Sequence, residues 1–113
     1  MKYLLLICDD ESLPLGPQEI GRQAEHVSWL EYMEANGVRL LGGERLRPSD
    51  AATSVRRRDG EVLISDGPFV ETKEQVGGYA LIECADLDTA LEVAARHPFS
   101  SHGVIEVRPV WDP

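Results

Sequence analysis

The sequence predicts an α+β domain in which four strands form one antiparallel sheet, two helices cover a single face of it and a β-hairpin is inserted midway. Three observations lead there. Extended and helical stretches follow in the order β-α-β, hairpin, β-α-β, the ferredoxin-like pattern of two split βαβ units. An Asp59-Gly60 pair between two extended runs marks the hairpin, because both central positions of such a turn want positive φ. At 113 residues the chain has room for one hydrophobic core, so residues 1–113 are read as one domain.

Residues 2–8 are nearly all apolar and read as a strand covered on both faces. Residues 9–17 read as a loop with Pro14, Gly16 and Pro17 as breakers. A helix is predicted over 18–36, closed by Gly37 just past its end. At 100° per residue Ile20, Ala24, Val27 and Leu30 form its apolar stripe, extended by Trp29 and Met33. His26 falls on the margin of that stripe. Residues 38–46 form the next strand, bulged at Gly42-Gly43, and 48–52 connect it to the hairpin runs 53–58 and 61–65. Residues 77–84 are a strand. Asp86 is placed to cap a helix over 87–96, with Leu87, Ala90, Leu91 and Ala94 on its apolar face and Pro98 forbidding continuation. Residues 104–110 close the sheet.

Right-handed crossovers put both helices on one face of this sheet. Tyr3, Leu5 and Ile7 alternate with Leu4, Leu6 and Cys8, and Tyr79 and Leu81 with Ala80 and Ile82, so neither strand has a polar face. Leaving one face in water would expose a large apolar patch, which monomers avoid. A homodimer with two sheets packed face to face is therefore expected. Trp29 and Trp111 read as core or interface residues.

The formal net charge of −9 argues against direct nucleic-acid binding and against anionic membrane surfaces. The apolar run at residues 3–8 is too short to span a membrane and is followed by Asp9, Asp10 and Glu11, so a cytoplasmic protein is expected. Cys8 and Cys84 each end an apolar run and read as buried thiols.

Three histidines could carry chemistry. His97, at a helix C-terminus where positive charge is favourable, and His102, in a loop with Ser100 and Ser101, read as having no chemical role. His26 reads either as a packing residue whose ring finds a partner or as an acid–base group. Asp66 reads either as a turn residue bonding its own backbone or as a functional carboxylate. Just beyond it, Phe69, Glu71 and Lys73 are candidate substrate-binding residues, with Lys73 suited to an anionic group. The alternative is a solvated loop with weak ion pairs. Arg56, Arg57 and Arg58 read as a solvated edge that deters aggregation. Gly77-Gly78 opens a strand and not a helix, so it is no phosphate loop. The histidines lack the helical spacing of a metal site, and no metal or organic cofactor is expected.

Residues 66–74, Asp-Gly-Pro-Phe-Val-Glu-Thr-Lys-Glu, closely resemble the signature of the DGPF branch of the YCII-related family. The resemblance runs from the first strand, through His26, to the Ile-Glu-Val-Arg-Pro-Val ending. It implies a ferredoxin-like fold in a dimeric, barrel-like α/β assembly, with His26 and Asp66 as an active-site pair. A carboxylate beside an imidazole fixes its tautomer and favours its protonated form, so the ring can take and return a proton. The function expected is cofactor-independent elimination, isomerisation or hydrolysis of a small organic molecule. The alternative is a non-catalytic ligand-binding or regulatory protein associated with an extracytoplasmic-function sigma factor, since the branch is similar to proteins often encoded beside one.

Overall fold

The structure, a computed structural model, describes residues 1–12 and 18–112, with side chains omitted for 18–23. The expected breakers Pro14, Gly16 and Pro17, and the side chain of Ile20, lie outside that description. The elements are β1 (Lys2–Asp10), α1 (Gln18–Ala35), β2 (Arg39–Arg45), β3 (Thr53–Arg58), β4 (Glu61–Asp66), β5 (Glu74–Glu83), α2 (Leu87–Ala95) and β6 (Val104–Pro109). Short 3₁₀ turns at Ser49–Ala51 and Pro98–Ser101 join them.

β2, β5, β1 and β6 lie side by side in that order, all antiparallel neighbours, as two split βαβ units require. β3 and β4 form a separate two-stranded arm. Its turn has the expected left-handed pair, Asp59 at φ 52° and Gly60 at φ 79°. β2 is bulged at Leu41, just before the expected Gly42-Gly43 and not at it, as the register shift between Leu40 and Gly42 shows. Gly43 permits the close approach that follows, since a Cβ there would lie 2.7 Å from the Tyr79 carbonyl oxygen.

Alternation along β1 and β5 sends Tyr3, Leu5, Ile7, Ala80 and Ile82 under the helices, where all are buried. Burying each large side chain stabilises the fold by roughly 1.5–3 kcal/mol. Leu4 pairs with Leu81 and Leu6 with Tyr79 on the opposite face, which no helix among the described residues covers.

α1 ends as the sequence predicts. Gly37 takes φ 71°, Val38 N–H donates to Met33 O at 2.9 Å, and Gly37 N–H donates to Glu34 O at 3.4 Å, a Schellman pattern. Asp86 caps α2, accepting from Thr89 N at 2.9 Å and Thr89 Oγ1 at 2.7 Å.

The buried faces of both helices differ from the periodicity reading. On α1 the inward residues are Trp29 and Met33, with Leu30 and Tyr32 half-buried, while Ala24 and Val27 are exposed. On α2 they are Ala90, Val93 and Ala94, whereas Leu91 is 47% exposed and Leu87 nearly as much. One contact accounts for the rotation. The buried Trp29 Nε1–H donates to Val93 O at 2.8 Å, so the indole lies between the helices and sets their roll. Small alanines then face the sheet. Outside the core, Arg96 stacks 4.2 Å from the Tyr32 ring and pairs with Glu92 at 3.0 Å. Trp111, 95% exposed, is no core residue of this chain.

The arm is anchored by backbone. Gly67 N–H donates to Ala52 O at 2.7 Å and Ser54 Oγ–H to Gly67 O at 2.8 Å. Val55 and Ile64 pair on one of its faces and are both exposed, Ile64 by 69%.

Candidate active site

The two ends of the fold that meet are the helix that follows β1 and the turn that follows α2. α1 packs against β2 and the Pro98–Ser101 turn, beside a sheet surface that Gly43, Gly78 and Ala80 leave low. The opposite wall is the 3₁₀ turn Pro98–Ser101. Between them lies a cavity of about 590 Å³, bordered by His26, Val27 and Trp29 from α1 and by His97, Pro98 and Phe99. Leu40, Glu44 and Arg45 of β2 and Tyr79 of β5 complete the rim. Small-molecule sites run roughly 300–1,000 Å³ and are mainly apolar with a few polar groups, which matches this lining.

His26 is exposed at the cavity edge, its ring 5.7 Å from that of Trp29. Neither of its nitrogens has a hydrogen-bond partner among the described residues. His26 therefore faces an open cavity with both nitrogens available to a ligand or to water.

His97 departs from the sequence reading. It is not a solvated cation at a helix end but a buried ring, 7% exposed. The cause is the following Pro98. The residue before proline is driven to extended backbone, and His97 has φ −66° and ψ 139°, which ends the helical path and folds the imidazole inward. Its Nδ1 accepts from Phe99 N–H at 3.1 Å, which assigns the proton to Nε2. The ring stands edge-on to Trp29 at 4.7 Å and to Phe99 at 5.6 Å. Burial, and then the neighbouring His26 and His102, push its pKa down to about 4. At neutral pH it is a neutral ring with one N–H to give. His102 is exposed, as expected, with Ser101 Oγ 3.3 Å from its Nδ1.

Asp66 ends β4 on the same face of the arm as Val55 and Ile64, opposite Thr53. It is exposed and lies outside the cavity lining. Among the described residues its carboxylate makes no hydrogen bond. The turn is made by Gly67 at φ 95°, not by an Asx bond. Phe69, Glu71 and Lys73 follow in an exposed loop, and none of them borders the cavity. Within one chain, then, His26 is brought to His97, Trp29 and Arg45, and not to Asp66, Phe69, Glu71 or Lys73.

Cys84 is buried and Cys8 half-buried, and both thiols are free. Burial pushes each pKa up, which suppresses the reactive thiolate. Among the described residues no three His, Cys, Asp or Glu side chains converge as metal ligands, and no helix is long and apolar enough to cross a membrane.

His97, Phe99 and Arg45 escape sequence reasoning. The one available signal was His97-Pro98, which bars the histidine from continuing the helix.

Among solved structures the chain resembles a 5-chloro-2-hydroxyhydroquinone dehydrochlorinase from Burkholderia phenoliruptrix, solved with 2,5-dihydroxybenzoquinone. The two share 16% identity at a TM-score of 0.54, over 99% of this chain and 94% of the other, a likeness of fold. An uncharacterized protein of Rhizobium meliloti is 38% identical over 114 aligned residues, covering 97% of this chain and 92% of its own. The model of the YCII-related domain matches residues 1–112. With that match spanning almost its whole length, the chain belongs to the YCII-related family.

Proposed function

We propose that this protein is a small homodimeric enzyme that moves a proton on a compact organic molecule, with His26 as the acid–base group. The observation that carries this reading is His26 standing at the edge of an apolar cavity of small-molecule size, with no hydrogen-bond partner among the described residues. An imidazole in that position can take a proton from a bound C–H or O–H and return it at another atom. Elimination or isomerisation of a ring compound follows naturally. The fold neighbour, a dehydrochlorinase, adds support for elimination by analogy alone.

Asp66 enters this scheme from the second subunit. A lone two-stranded arm is marginal in water, and this one exposes Val55, Val62 and Ile64 on the face that also carries Asp66. Docking that face on a partner subunit would bury the apolar residues and deliver Asp66 with them. Beside His26 of the other chain, the carboxylate would orient the imidazole and favour its protonated form. Lys73, Glu71 and Phe69, carried by the same loop, would then close over a substrate. The uncovered sheet face with Leu4, Leu6, Tyr79 and Leu81 supplies the remaining surface for association. The DGPF segment supports membership of that branch of the family, and free thiols support a cytoplasmic location.

The test uses enolisable ring compounds and chlorinated hydroquinones in D₂O, with deuterium uptake and chloride release followed by NMR and ion chromatography. The wild type is expected to turn over at least one of them, and His26→Ala to slow it by roughly 100-fold or more while remaining folded. Undiminished turnover in His26→Ala would sink the proposal.

A further inference from the structure

The proposed proton transfer gives no role to a buried polar atom beside the cavity. His97 is more than nine-tenths buried, its Nδ1 is occupied by the Phe99 amide, and its Nε2–H has no acceptor among the described residues. Buried donors are almost always satisfied, and a ligand in the cavity that His97 borders would supply the missing acceptor.

We propose that His97 Nε2–H is the cavity's oxygen-binding donor, fixed to hold a carbonyl or phenolate oxygen of a planar ring ligand while His26 handles the proton. The inference rests on the acid–base reading of the site and adds the ligand's class and orientation to it.

Three features select that class. The floor of Gly43, Gly78 and Ala80 and the aromatic groups of Trp29 and Phe99 suit a flat apolar body. The donor is neutral, so it does not require an anion in the ground state, yet its bond strengthens as charge grows on the acceptor oxygen. The ring is also held before a ligand arrives. Phe99 N–H fixes the tautomer, and edge contacts with Trp29 and Phe99 fix the plane, so binding costs little further order. His26 and His97 both contact Trp29 and both border the cavity. A ring whose oxygen rests on His97 would present its neighbouring carbons toward His26.

The test separates the donor from the turn. His97→Asn keeps an acceptor near the Nδ1 position, for Phe99 N–H, and removes the Nε2 donor. His97→Gln places an amide N–H near the Nε2 position and gives up the Phe99 bond. The probe is 4-nitrophenol, whose absorbance reports both binding and ionisation. The wild type and His97→Gln should bind it with affinities within about threefold of each other. His97→Asn should lose about tenfold or more. In the wild type, the His97 Nε2–H proton signal should move downfield as the probe is added. Equal binding by the wild type and His97→Asn overturns the inference, as does an Nε2–H signal indifferent to bound probe or a wild type that does not bind it. Failure of the acid–base reading shows elsewhere, as turnover that survives His26→Ala.

Discussion

His97 illustrates how one backbone restriction creates a chemical group. Proline at position 98 turns the preceding residue out of the helix, burial follows, and burial keeps the ring neutral. This has a consequence for stability. The folded-state pKa of about 4 lies below the ordinary 6.5, so between those values the unfolded chain binds a proton that the folded chain refuses. The stabilisation is whole above pH 6.5 and is lost as pH falls toward 4, amounting to about 3 kcal/mol at most. Urea unfolding from pH 7 to pH 4 should show His97→Asn losing less stability than the wild type over this window. Identical slopes would mean that the ring is not buried as a neutral group. A second single-residue expectation concerns Gly43. A methyl group there would press on the Tyr79 carbonyl, part of the backbone, so Gly43→Ala should cost roughly 1–3 kcal/mol and lower the thermal midpoint.

Local signals define the elements well because each is read by its own backbone. The Asp59-Gly60 turn, the Gly37 C-cap and the Asp86 N-cap stand where the sequence puts them, and the β2 bulge falls at Leu41, just before the expected Gly42-Gly43. Asp86→Ala should therefore cost about 1 kcal/mol in chemical denaturation. The helix faces were legible only in part. Hydrophobic period ranks Leu87 and Leu91 with Ala90 and Ala94, but it carries no knowledge of the bond from Trp29 to Val93 that rolls α2 onto its alanines. That contact joins residues 64 apart in sequence, beyond the reach of any local pattern. The cavity was hidden for the same reason. His26 and Gly43 could be singled out one by one, while their meeting with His97 depends on where the second βα unit lays its turn. His97 itself reads as an ordinary helix end until Pro98 is allowed to act on it.

Taken whole, a single chain leaves two surfaces that water does not favour. One is the outer sheet face, with Leu4 and Leu6 across from Leu81 and Tyr79. The other is the arm, with Val55 and Ile64. Both are satisfied if two subunits associate, and the two halves of the proposed site then come from different chains. Ile64→Glu places a charge in that contact. It should shift the protein toward monomer in sedimentation and reduce turnover, with circular dichroism unchanged. A variant that stays dimeric would remove the arm from the interface.

The most direct measurement asks whether His26 and Asp66 meet across subunits. In a background of Cys8→Ala and Cys84→Ala, the double variant His26→Cys with Asp66→Cys is treated with a short bis-thiosulfonate cross-linker and run on a non-reducing gel. A covalent dimer that forms in the double variant, and in neither single variant, is expected from a shared site. A folded dimer that gives no inter-chain product, or a cross-link confined within one chain, would contradict it and leave His26 to work with the residues of its own cavity.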